Sequence, residues 1–132
     1  MRQPEQENPV YLGDILDCIN NIEAYTHQGE TEFLTSKLIQ DAVIRNFEII
    51  GEATKRLSPE LRQTYPEIPW RQMAGFRDIL IHSYMSINIA TVWQAVQELP
   101  QLQPKLQTIL QSIVPKSRWP TKARYSRRKT FG

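Results

Sequence analysis

The chain has a single cysteine, Cys18, so it can close no internal disulfide and assemble no thiolate metal site. Its two histidines, His27 and His82, are too few beside one cysteine to suggest zinc or iron. No apolar run approaches the roughly 20 residues that span a bilayer. The opening MRQPEQENPV is polar and acidic and lacks the basic and apolar regions of a signal peptide. These absences lead to an expectation of a reduced, cytoplasmic setting, with no metal, no cofactor and no membrane. Also absent are runs of alternating strand residues and Asn-Gly or Asp-Gly hairpin turns. Helices are what remains.

What is present fits one domain with one modest core: 132 residues, 40% hydrophobic and 23% charged, the balance of a globular protein. The formal charge of +2 hides an asymmetry. Residues 116 to 129 hold seven Lys/Arg and no acid, whereas the rest of the chain holds nine basic and fourteen acidic residues. A basic tail on an acidic body often marks contact with nucleic acid, and is equally often a solvated, disordered terminus.

Apolar spacing predicts an all-α, four- to five-helix up-down bundle over residues 9–114, between a disordered stretch 1–8 and a flexible basic tail 115–132. The first helix is expected to start at Asn8-Pro9, a cap followed by proline, with Leu12, Ile15, Leu16, Ile19 and Ile22 inward and Gly29 as its stop. A second starts near Thr35-Ser36 and runs to Lys55 or Leu57. It turns Val43, Phe47 and Ile50 inward and pairs Asp41 with Arg45 and Glu52 with Arg56 on its solvent face. Ser58-Pro59 opens a short helix that the following prolines break. A third runs from about Trp70 to Tyr84. A fourth follows Ser86 or Asn88, with Val92, Trp93, Val96 and Leu99 inward, and Pro100 and Pro104 interrupting or kinking it.

The third helix ends in "FRDILIHSY", residues 76 to 84. On a helical wheel Met73, Phe76, Ile79, Leu80 and Ser83 share one side and form the expected core stripe. Asp78 and His82 stack four apart on the other face, where the carboxylate can reach the imidazole and fix its orientation. Ile81 sits amid these polar residues, so another segment or a second copy of the protein is expected to cover this face. Such residues near a helix end also serve simply as pairs and caps, and His27, at the end of the first helix, is read that way.

Arg77, four residues, His82, one residue, Tyr84 is the Arg-x4-His-x-Tyr pattern, and here the chain resembles the HepT-type toxins of the HEPN superfamily. "RNFEIIGEATKRLS" (45–58), "IPWRQMAGFRDILIHSY" (68–84) and "TVWQAVQELPQL" (91–102) are similar to that family's helices as well. The resemblance covers about residues 10 to 113 and implies an all-helical, metal-independent endoribonuclease that cuts tRNA or mRNA. It implies a homodimer with the motif helix of each protomer at the interface. It also implies a type VII toxin–antitoxin pair in which an MntA-type nucleotidyltransferase antitoxin transfers AMP to the motif tyrosine. Carried over, Arg77 and His82 are catalytic, Asp78 supports them, and Tyr84 is the AMPylation acceptor.

These residue types suit the chemistry. Histidine moves protons near neutral pH, and arginine holds phosphoryl charge with paired hydrogen bonds. AMP on Tyr84 would set a phosphodiester beside Arg77 and fill the groove. With RNA as substrate, Lys116, Arg118, Lys122, Arg124, Arg127 and Arg128, interleaved with Trp119 and Tyr125, become candidate RNA contacts. The competing reading is a non-catalytic helical partner that binds and regulates a nucleotidyltransferase. A DNA-binding module fits less well, because no helix carries a basic face.

Overall fold

The structure, a computed structural model, describes residues 4–83 and 86–114, with side chains from residue 7 onward. It consists of six helices: α1 (Pro4–Tyr25), α2 (Glu30–Thr35), α3 (Lys37–Arg56), α4 (Pro59–Thr64), α5 (Trp70–His82) and α6 (Ile89–Ile113). No strand occurs among the described residues. Four helices are long and two span six residues each, so the expected bundle is present, with the short helix expected at Ser58-Pro59 and one short addition, α2. No helix among the described residues is long and apolar enough to cross a membrane.

The core forms where α1, α3 and α6 meet. Leu12, Ile15, Ile19 and Ile22 from α1 are fully buried, as are Val43 of α3 and Val92 and Leu106 of α6. Their 3–4 spacing puts one apolar stripe per helix toward the centre. α2 closes one end, where fully buried Phe33 meets Trp93 with ring centroids 5.2 Å apart. This short helix was not foreseen, because Gly29 reads as a stop. Gly29 does adopt a positive φ of 100°, but it stands as the cap of α2 rather than directly behind α1.

α3 begins and ends as expected. Ser36 accepts from the amide of Ile39 at 3.2 Å, and Leu57, one residue before Ser58-Pro59, is extended. Its surface pairing differs. Asp41 pairs with Lys37 at 2.7 Å and Arg45 with Glu48 at 3.4 Å, in place of Asp41 with Arg45, while Glu52 and Arg56 lie 3.8 Å apart as expected. A short helical step to either side is equally reachable, so a pair four apart has competitors.

α1 starts earlier than Asn8-Pro9. The helix begins at Pro4, with Pro9 inside it, so residues 4–8 belong to the helix and Asn8 is no cap. Asn8 is instead 4% exposed, and it clamps α1 to the junction before α4: its Nδ2 donates to Ser58 Oγ at 3.0 Å and its Oδ1 accepts from Ser58 N at 2.9 Å. Ser58 Oγ in turn accepts from Leu61 N at 3.2 Å and caps α4. Asn8→Ala leaves the buried Ser58 amide without its acceptor and removes one of the two donors to Ser58 Oγ, and should cost about 1–3 kcal/mol. Urea unfolding with an unchanged m-value and a lower midpoint checks this.

α6 is one continuous helix through Pro100 and Pro104, so neither proline interrupts it. Both prolines are exposed. Asn88 caps this helix, accepting from Ala90 N at 3.0 Å.

Candidate functional site

α5 packs on α3 along Trp70, Met73, Arg77 and Leu80, a 3–4–3 spacing in which Trp70 and Leu80 are buried. Arg77 belongs to this line because of one residue on α3. A Cβ at Gly51 would overlap the Arg77 Cβ and approach the Met73 carbonyl oxygen to 3.1 Å. With no side chain at Gly51, the two helices close on each other and the arginine stem lies in the seam. The Arg77 side chain as a whole is 28% exposed.

The expected core stripe of α5 is therefore only partly right. Leu80 is 1% exposed and Met73 and Phe76 are partly buried, but Ile79 is 60% exposed. It borders an open apolar groove of about 780 Å³ between α5 and α6, lined by Phe47, Met73, Phe76, Ile79, Leu99 and Leu102 among others. The wheel assumes that a broad face is buried. Here α5 leans chiefly on α3, and the side toward α6 stays open.

On the other flank, Ile81 is 37% exposed at the rim of a groove of about 440 Å³ that also contains Arg45, Glu48, Glu52, Arg56 and Arg77. Charged residues from α3 and α5 form a chain that starts in this groove and leads out of it. Glu52 lies 3.8 Å from Arg56 and 3.6 Å from Arg77. Arg77 continues to Asp78 at 3.1 Å, and the same Asp78 oxygen receives Lys55 at 2.6 Å. Lys55 and then Arg77 hold the Asp78 carboxyl below the usual carboxylate range, so it is an anion at neutral pH. Three cations and two anions leave this chain with one net positive charge.

His82 closes α5 and is exposed. Its partner is not the one expected: Nδ1 lies 2.8 Å from the backbone carbonyl of Asp78, one turn earlier, while the Asp78 side chain is taken by Lys55 and Arg77. The imidazole folds back one turn along its own helix and shares a carbonyl of the backbone ladder, which continues to Ser83 N and Ile79 O at 3.0 Å. A carbonyl oxygen only accepts, so the proton of neutral His82 sits on Nδ1. The Nε2 lone pair is left free to take a proton. The Arg77–His82 pair is thus arranged on one helix end, with the arginine gripped from α3 and the histidine oriented by its own backbone. His27, by contrast, only bonds Ala24 O at 2.9 Å beyond the end of α1.

Tyr84 lies outside the described residues, as do the tail candidates Lys116, Arg118, Lys122, Arg124, Arg127 and Arg128. Among the described residues no three His, Cys, Asp or Glu side chains are grouped to hold a metal ion. Gly51, Glu52 and Lys55 were missed as site residues by sequence reasoning. Glu52 reads as a solvated helix charge and Lys55 only as a helix end, and nothing local reports that α5 crosses α3 there.

Comparison with known proteins supplies the relatives. The model of the family "Ribonuclease HepT-like" matches residues 15–109. "Probable ribonuclease HepT" of Thermococcus cleftensis is 44% identical over 101 residues, covering 75% of this chain and 92% of that protein. A "Putative RNase" of Methanocaldococcus jannaschii is 37% identical over 112 residues, covering 83% and 93%. A protein of the same organism named for gamma-glutamylcyclotransferase and an RNase is 43% identical over 106 residues; the match covers 79% of this chain and 48% of that longer protein. No solved structure gives a significant match. The motif helix, the arginine set in the α3–α5 seam and these matches agree, and the chain belongs to the HepT-like ribonuclease family.

Proposed function

We propose that this protein is the toxin of a type VII toxin–antitoxin pair, a metal-independent endoribonuclease acting as a homodimer. The observation that carries the reading is His82: exposed, with Nδ1 committed to the Asp78 carbonyl and Nε2 free, on the same helix end as an arginine whose side chain is partly exposed. Metal-free cleavage needs a base, an acid and a cation for the phosphorane charge. His82 of one protomer removes the 2′-hydroxyl proton as O2′ attacks phosphorus. The P–O5′ bond breaks, and the partner's imidazolium protonates the leaving 5′-oxygen. Arg77 neutralises the charge that builds on the nonbridging oxygens. The products are a 2′,3′-cyclic phosphate and a 5′-hydroxyl. The exposed Ile79 and Ile81, one on each flank of the motif helix, support a pairing through that helix.

The test is cleavage of single-stranded RNA by the purified protein in excess EDTA, with the new ends identified by mass spectrometry. Cyclic phosphate ends are expected. No cleavage, and no growth arrest on expression alone, would instead favour a non-catalytic partner of a nucleotidyltransferase.

Silencing by an MntA-type nucleotidyltransferase belongs to the same reading, with Tyr84 as the acceptor. Incubation with that enzyme and ATP should add AMP-sized mass to the peptide containing Tyr84 and stop RNA cleavage. The added phosphodiester would bring a negative charge that competes with RNA phosphate for Arg77. Modification that persists in Tyr84→Phe places the acceptor elsewhere.

A further inference from the structure

Lys55 has no assigned role, yet it shares one carboxylate oxygen with the arginine of the motif. Its Nζ lies 2.6 Å from Asp78 Oδ1, and Arg77 approaches the same atom at 3.1 Å. The lysine comes from the last turn of α3 and the other two residues from α5. Asp78 therefore fixes two cations from two helices side by side. Their side chains remain reachable, at 36% exposure for Lys55 and 28% for Arg77.

This arrangement costs something if it serves stability alone. Exposed ion pairs contribute only about 0–1 kcal/mol. One carboxylate cannot neutralise two cations, and Glu52 is divided between Arg77 and Arg56. The cluster is left one anion short, and it lies on the motif face. A phosphate oxygen supplies that anion without displacing Asp78, because an ammonium has three donors and a guanidinium five.

We propose that Lys55 is a second phosphate-binding cation of the RNase centre, contacting the RNA backbone beside the phosphate that Arg77 holds. Asp78 is the positioning residue that keeps the two cations in register. This rests on the RNase reading above. Lys55 has a further effect through Asp78: while it takes part of the carboxylate's charge, less of that charge falls on Arg77. Removing Lys55 both deletes a phosphate contact and leaves Asp78 more tightly on the arginine.

The test compares wild type, Lys55→Gln and Lys55→Arg by binding and by cleavage. Binding of a fluorescent single-stranded RNA is measured in the His82→Ala background across a salt series. Lys55→Gln should weaken binding about tenfold at low salt, the scale of one lost charge-assisted contact. It should also lower the slope of log affinity against log salt by about 0.7, the value for one phosphate contact on a single strand. In cleavage, KM should rise more than kcat falls, the pH profile should keep its shape, and Lys55→Arg should retain most binding. An unchanged salt slope and KM in a folded Lys55→Gln protein overturns the proposal, whatever happens to its melting temperature. A shifted pH profile overturns it too, by making Lys55 a proton donor. Wild-type protein that binds RNA without cutting it would sink the RNase reading while the salt slope still decides on Lys55. Protein that neither binds nor cuts RNA would sink both.

Discussion

His82→Ala should abolish most RNA cleavage while barely changing stability. The imidazole is exposed, so its loss should move the unfolding free energy by no more than about 0.5 kcal/mol. Its chemistry has no local substitute. The other histidine, His27, lies beyond the far end of α1 and is bound to Ala24 O. Loss of a general acid–base group typically removes about 10² to 10⁴ in rate. A homodimeric site that uses one histidine as base and its partner as acid loses both with one substitution. The measurement is single-turnover cleavage of a 5′-labelled RNA, with thermal melts run in parallel. A His82→Ala protein that cuts at the wild-type rate would falsify the assignment.

The second large effect is expected at a residue with no side chain. Gly51→Ala places a methyl group inside the space of the Arg77 Cβ and tight against the Met73 carbonyl. Neither obstacle can yield easily, since one is the root of a side chain and the other is backbone. Carbon atoms rest about 3.5–4.0 Å apart, so the helices must part by an ångström or more. Alanine favours the helix by up to about 1 kcal/mol over glycine, while overpacking costs about 1–3 kcal/mol, so a modest net destabilisation is expected. Activity should suffer far more. Displacing Arg77 by about 1 Å relative to the histidine and to Lys55 can cost roughly 10²-fold. The control is Gly13→Ala on α1, where an added Cβ meets nothing within 4 Å. It should leave cleavage intact and raise stability slightly. If Gly51→Ala retains full activity, the seam does not place the arginine.

Much of the bundle was legible because each long helix carries its own record. The stripes of α1 and α3 and the caps Ser36 and Asn88 are local facts, written within a few residues of where they act. Errors arose where a local signal had two meanings. Asn8-Pro9 reads as a helix start, but Asn8 was spent on Ser58, 50 residues away, and the helix began at Pro4. Gly29 reads as a stop and serves as the opening of α2.

The site divides in the same way. Sequence alone determined that an arginine and a histidine share the end of one amphipathic helix, because five residues along an α-helix leave little freedom in their relative placement. It also determined that an isoleucine sits on the polar face between them. Sequence could not determine what Asp78 does. Its spacing from His82 allowed a side-chain contact, and the helix gave the imidazole a carbonyl instead, leaving the carboxylate for Lys55, 23 residues earlier. Nor could it say that Arg77 would lie in a seam rather than on a surface, or that Ile79 would stand in the open. Those outcomes follow from how closely α5 crosses α3, which the missing side chain at Gly51 permits. Periodicity reports angles around one helix axis; the distance and angle between two axes are set by the packing of both.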